Sequence, residues 1–269
     1  MKKNWTGERL ETFIYSRDAI EHLHRYSIMN YYIDGKVVLD IACGEGYGSN
    51  IMSSKAKFVY GVDIDEITVN AAKSKYKQQN LEYSIGDVTN ISFNDDTFDV
   101  VVSFETIEHH DKHDEMMKEI NRVLKPNGIF IISTPDKLFY SDKTNFKNKF
   151  HVKELYKNEF VKLVSNFFSN SQLLTQQYTS GVSVIQEEIF SSELTFFSGD
   201  YDSIHVKNIN PMYLIIIASN TDFAFQKTSI FDGGELIEKQ LKEYIYTSNS
   251  YRLGALLLSP LKFIKKIIK

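Results

Sequence analysis

Three glycines in five residues, Gly44, Gly46 and Gly48, follow directly on the apolar, β-branched run Val37–Ile41. A strand that ends in such a turn and continues as a helix is the opening unit of a doubly wound sheet. The missing side chains let a ligand approach the backbone there. The downstream sequence keeps the same rhythm. Phe58–Ile64, Leu81–Ile85, Phe98–Phe104 and Ile129–Ser133 are predicted strands. Val100, Val101 and Val102 are apolar in succession, as in a strand covered on both faces of a parallel sheet. Between them Asp65 caps a helix that runs to about Gln78, Asp114 to Leu124 is a second, and Val152 to Phe167 a third. Lys125-Pro126-Asn127-Gly128 reads as a helix stop. The expected class is therefore α/β with a doubly wound sheet. After residue 170 the rhythm changes: Leu173–Tyr178 and Tyr213–Ser219 are strands, and the spacer at about 180–210 is an insertion. The chain divides into a helical segment 1–34, whose best helix is Asp18–Tyr31, a sheet domain 35–220, and a helical extension 221–269.

Net charge is −4, from 31 basic and 35 acidic residues, which argues against a nucleic-acid partner. A single cysteine, Cys43, excludes an internal disulfide and a zinc site built on several thiolates. It fits a reducing, cytoplasmic setting. The first residues lack the apolar core of a signal peptide, and no run reaches the roughly 18 apolar residues of a membrane span. Charge is uneven, however. Residues 251–269 hold Arg252, Lys262, Lys265, Lys266 and Lys269 and no acid, so that +5 of tail leaves −9 for the first 250 residues. Ser259-Pro260 is a helix-start signal, with Leu257, Leu261, Ile264 and Ile268 at helical spacing. Such a tail either lies on an anionic membrane, at the inner face of the bacterial membrane, or docks on its own domain or on a second subunit of a homodimer.

The glycine loop carries acids. Asp40 ends the first strand and Glu45 sits inside the loop, where carboxylates repel a pyrophosphate but suit a ligand with an ammonium and a sulfonium. The third glycine of a dinucleotide pattern is replaced by Ser49, which further weakens a nicotinamide oxidoreductase reading. Asp63, 23 residues beyond Asp40, ends the second strand, where it can accept both hydroxyls of a ribose. Gly86-Asp87-Val88 ends the third, where the carboxylate can accept from an exocyclic amine of adenine. An acid after a strand is commonly only a helix cap, but three at successive strand ends behind one glycine loop point to a shared ligand.

These residues resemble a class I S-adenosylmethionine-dependent methyltransferase. The matching stretches are VLDIACGEGYGS, GVDIDE, GDVTNISFNDDTFDVVVSFETIEHH and EINRVLKPNGIFIISTP, in family order over about 36–136. The resemblance implies a seven-stranded Rossmann-like sheet with its last strand antiparallel, and S-adenosylmethionine as cofactor. It further implies that Asp40, Ala42, Gly44 and Gly46 line the methionine end, that Asp63 and Ile64 hold ribose and adenine, that Gly86, Asp87 and Val88 flank adenine, and that Ser103 to Glu105 lie beside the methyl donor. Residues ahead of the first strand act in this family as a lid. Glu8, Arg9, His22, His24 and Arg25 fall there, and Arg9 or Arg25 can pair with the methionine carboxylate or an acceptor phosphate. A narrower resemblance, on Gly7-Glu8-Arg9, residues 21–26 and residues 150–155, is to methyltransferases encoded with bacterial surface-polysaccharide enzymes. It implies a sugar hydroxyl or a phosphate group of a glycan or nucleotide sugar as acceptor.

A sugar hydroxyl needs a base, and His109, His110 and His151 are the candidates, with Glu105 beside them. Each histidine can equally cap a helix or face solvent. Glu105-x-x-Glu108-His109 also resembles a cluster linked to magnesium in quinone-biosynthetic O-methyltransferases. The same short motif occurs without metal, and none is expected here. The readings to separate are a glycan O-methyltransferase, a phosphate or phosphonate or quinone-like methyltransferase, and a cofactor-binding assembly module without catalysis.

Overall fold

The computed structural model describes residues 10, 12–187 and 194–267. Thus Glu8 and Arg9, the middle of the expected insertion, and Ile268 and Lys269 lie outside the described residues.

Helix α1 (Arg17–Ile28) precedes β1 (Val37–Ile41), α2 (Tyr47–Met52), β2 (Phe58–Asp63), α3 (Glu66–Lys75), β3 (Leu81–Ile85), β4 (Phe98–Phe104), α4 (His113–Val123), β5 (Leu124–Pro135), α5 (Lys157–Ser165), β6 (Asn170–Thr179) and β7 (Val182–Glu187). A short hairpin, β8 (Phe197–Gly199) and β9 (Ile204–Val206), is followed by β10 (Tyr213–Ser219), β11 (Ser229–Asp232), α6 (Gly234–Thr247) and α7 (Asn249–Ile267). The main sheet is ordered β11-β7-β6-β10-β5-β4-β1-β2-β3. β3, β2, β1, β4 and β5 are mutually parallel, and β10 runs antiparallel to both β5 and β6.

Among the described residues the sheet has nine strands where seven were expected, with β7 and β11 extending its edge beyond β6. The reason is local. Ser180 and Gly181 both have positive φ, 46° and 89°, giving the two-residue turn that folds β7 back on β6. The region read as an insertion therefore begins with a sheet strand. β5 also starts earlier than expected, at Leu124, so the Lys125–Gly128 segment continues the strand as soon as α4 ends. α5 starts later than residue 152, because a capping box between Tyr156 and Glu159 fixes its first turn.

Successive valines of β4 bury on opposite faces. Val101 packs with Leu39, Ile132, Met116 and Phe160, under α4 and α5. Val100 and Val102 pack with Val38, Ile131, Ile215 and Tyr26, under α1. α1 is thus part of the buried layer rather than a cover, and it encloses His24 and Arg25 completely. The residues of the expected lid that border the ligand cavity are Leu10, Ile14, Ser16, Asp18, His22 and Tyr26. The tail also differs: α7 begins at Asn249, because Ser248 Oγ accepts from Tyr251 N, and it runs on through Ser259-Pro260 without a new start. No described helix is long and apolar enough to cross a membrane.

β1 neighbours β2 on one side and β4 on the other, so the chain changes direction between them. A crevice opens beyond the C-terminal ends of those strands.

Candidate active site

The loop after β1 adopts three left-handed residues in a row of five, Ala42 (φ 62°), Gly44 (φ 55°) and Gly46 (φ 84°). Ala42 is costly there, by about 1–3 kcal/mol, and such strain concentrates at ligand sites. Gly44 N donates to Asp63 Oδ2 at 2.8 Å, and Asp65 N donates to Oδ1 of the same carboxylate at 3.0 Å. The two strand ends are tied together through Asp63. Nothing lies within 4 Å of the Cβ position of Gly44, so the loop faces open space there.

That space is a cavity of about 960 Å³. Ala42, Gly44, Asp63, Ile64, Gly86, Asp87, Val88 and Glu105 all lie on its wall, as do His109, His110 and His151. Four expected contacts do not. Asp40 is buried beneath the loop and accepts from Ser49 Oγ at 2.6 Å. Burial, reinforced by the charge of Asp63, pushes its carboxyl up to about 7. Gly46 backs onto Tyr83, whose hydroxyl donates to Gly46 O at 2.6 Å, and it shapes the loop without lining the cavity. Ser103 is fully buried within β4, its hydroxyl without a partner among the described residues.

Arg25 is the fourth. Because α1 packs face-down on the sheet, its guanidinium points into the interior behind Glu105. Nη1 donates to Gln176 Oε1 at 2.6 Å, Nη2 lies 3.8 Å from Glu105 Oε1, and the Tyr213 ring is 4.9 Å away. Glu105 itself has φ 54° and accepts from Ser133 Oγ at 2.6 Å. Arg25 is a positioning residue for the strained end of β4, and Glu105 is the group that reaches the cavity.

The three histidines separate. His110 lies beside Asp87 and His113, and its two buried ring nitrogens have no hydrogen-bond partner among the described residues. Burial and the neighbouring His113 lower its pKa. His109 and His151 meet edge to face at 5.2 Å. Their tautomers follow from their partners. His109 Nδ1 lies 3.1 Å from Phe150 O, which can only accept, so Nδ1 carries the proton. His151 Nδ1 lies 2.6 Å from Glu154 Oε1 and carries its proton likewise. Asn148 Oδ1 accepts from Phe150 N at 3.0 Å, which fixes that amide and turns its Nδ2 toward His151 Nε2 at 2.9 Å. His109 therefore keeps Nε2 as its basic nitrogen, whereas the Nε2 lone pair of His151 already accepts from Asn148 Nδ2 and its Nδ1–H is held by Glu154.

Glu108, His109 and His151 each bring one ligand atom within 4.8 Å of the others, a set that can hold a divalent cation. The sequence grouped Glu105 with Glu108 and His109, but Glu105 is held by Ser133 and Arg25, and His151 takes its place. Burial and the nearby Glu105 raise the Glu108 pKa well above the usual carboxylate range, and Thr134 Oγ1 donates to it at 3.1 Å. Residues the sequence did not single out also line the cavity: Tyr26, Tyr47, Tyr140, Phe146, Asn148, Phe150 and Tyr213. The aromatic and amide density of 139–151, Phe-Tyr-Ser-Asp-Lys-Thr-Asn-Phe-Lys-Asn-Lys-Phe-His, was the available signal.

Residues 39–132 match the methyltransferase domain family. A protein of Mycolicibacterium smegmatis named a probable S-adenosylmethionine-dependent methyltransferase is 35% identical over 131 residues, 48% of this chain and 50% of the relative. A ubiquinone biosynthesis O-methyltransferase of Coxiella burnetii is 31% identical over 109 residues, 40% of this chain and 47% of that protein. The chain thus spans about half the length of the curated relatives it matches. An S-adenosylmethionine-dependent methyltransferase of Mesorhizobium loti shares the fold at a TM-score of 0.52 and 16% identity, covering 74% of this chain and 97% of that one. Residues 39–132 thus resemble a methyltransferase domain, and the residues present fit S-adenosylmethionine. The glycine loop offers an open cradle at Gly44, Asp63 stands on the cavity wall at the second strand end, and Asp87 stands on it at the third.

Proposed function

We propose that this chain is an O-methyltransferase whose acceptor is a hydroxyl of a glycan or nucleotide-sugar precursor, deprotonated by His109. The observation that carries the reading is the tautomer of this ring: His109 Nδ1 donates to Phe150 O, which leaves Nε2 as the basic nitrogen, beside a His151 anchored at both nitrogens by Glu154 and Asn148. When bound, S-adenosylmethionine supplies an electrophilic methyl group on a sulfonium. His109 Nε2 takes the hydroxyl proton as the new carbon–oxygen bond forms and the sulfonium–methyl bond breaks to leave S-adenosylhomocysteine, while His151, held by Glu154 and Asn148, positions the His109 ring edge to face. Tyr140, Phe146 and Phe150 form an apolar wall that excludes water and suits the face of a sugar ring. Lys112, Lys147 and Lys149 border the same cavity and favour an acceptor that carries phosphate.

The test uses methyl-labelled cofactor with nucleotide sugars and oligosaccharides, set against a hydroxylated quinone precursor and an alkyl phosphonate. Transfer to a sugar, lost by about 10²–10⁴ in His109→Ala with cofactor affinity retained, is the expected result. Full activity of that variant would remove the base and favour a phosphate or phosphonate, already anionic. The rate should also survive a chelator. A loss restored by a divalent cation would reassign Glu108, His109 and His151 as metal ligands.

A further inference from the structure

The last two helices have little of their own to pack against. No residue of α6 is buried, and Leu241, Tyr244, Leu253 and Leu257 are all more than half exposed. α6 is held through its first turn, where Gly233 N donates to Gly181 O at 2.9 Å and the Ile237 side chain lies against Gly181. Projected at about 100° per residue, the sequence of α7 groups Leu253, Leu257, Leu261, Ile264 and Ile267 on one arc and Arg252, Lys262, Lys265 and Lys266, with Leu258, on the other. No acid occurs after Glu243.

We propose that α7 binds the surface of an anionic lipid bilayer, lying in its plane with the leucine–isoleucine side inward. Charge selects this occupant. The 250 residues ahead of position 251 carry −9, so an anionic surface repels the domain and attracts the last helix alone. Docking against the acid-poor leucine side of a second copy would need no lysines on the opposite arc. At 19 residues α7 is long enough to lie across the interface, and it does not meet the requirement for a span. This inference is independent of the methyl acceptor.

The full chain is sedimented with vesicles of phosphatidylcholine alone and of phosphatidylcholine with one-quarter phosphatidylglycerol. Binding to the second and not the first is expected. Each near-surface lysine contributes about fivefold, so the triple variant Lys262→Gln/Lys265→Gln/Lys266→Gln should lose roughly a hundredfold in partitioning. Leu253→Asp/Leu257→Asp should abolish it. Affinity for S-adenosylhomocysteine, unchanged in both variants, reports that the domain is folded. Equal partitioning of the parent chain onto both vesicle types overturns the proposal, as does parental binding by either variant. A parent that binds no vesicle and forms a dimer broken by Leu253→Asp/Leu257→Asp also overturns it, and assigns the face to a second copy.

Discussion

Asp40 should make this protein less stable as pH rises toward neutrality, against the usual behaviour of a carboxylate. Its side chain is buried behind the glycine loop with one hydroxyl donor, Ser49, and the charge of Asp63 nearby, which moves its pKa from 3.8 to about 7. The folded state therefore holds the proton longer than the unfolded chain does, and stability is lost between those two values as pH increases. At about 1.4 kcal/mol per unit, ionising Asp40 costs about 2 kcal/mol of stability at pH 5 and about 4 kcal/mol at pH 8. Asp40→Asn keeps an acceptor for Ser49 and cannot ionise. Urea unfolding of the ligand-free chain at both pH values, parent against variant, isolates this group from every other titration. The advantage of the variant should widen by about 2–3 kcal/mol from pH 5 to pH 8. Parallel stability curves over that range would show that Asp40 ionises as an ordinary carboxylate, and the account of a desolvated loop would fail.

Asp63→Ala should weaken S-adenosylhomocysteine binding by about 1.5–3 kcal/mol, roughly 10- to 150-fold by calorimetry. An unchanged affinity would remove Asp63 from the ribose site. Gly48→Ala should destabilise by about 1–3 kcal/mol in spite of its better helix propensity, because the new Cβ would sit 1.9 Å from Cζ of the buried Tyr26. A rise in melting temperature would mean that the Tyr26 ring moves aside freely. Ser103→Ala removes a buried hydroxyl that has no partner among the described residues, so thermal unfolding should show it neutral or up to about 1 kcal/mol more stable. A clear loss would reveal a bond to that hydroxyl.

Several elements were legible from residue order alone. β1, β3, β4 and β10 occupy the ranges their apolar runs mark, and Asp65 caps α3 through the N–H groups of Ile67 and Thr68. The edge strands were not. β7 is only six residues long, and its Ser180-Gly181 turn is one of many Ser- and Gly-containing dipeptides, distinguished only by the β6 strand already in place to pair with. The meeting of His109 and His151 was half legible. His109 and His151 were named as separate candidates 42 residues apart. That they share a wall while His110, one residue from His109, turns toward Asp87 depends on how the segment 139–151 folds over the end of β4.

The sequence by itself determined the sheet class, the glycine loop and the acids at the strand ends, because these follow from short-range period and turn chemistry. Only the tertiary structure decided which of those residues meet a ligand. Asp40 and Ser103 lie inside their strands, where neighbouring strands and helices close over them. Ala42, Gly44, Ile64 and Glu105 lie just past the strand ends, where the sheet no longer covers them. A shift of one or two residues along a strand thus separates a support from a contact, and that boundary is set by pairing between strands far apart in the chain.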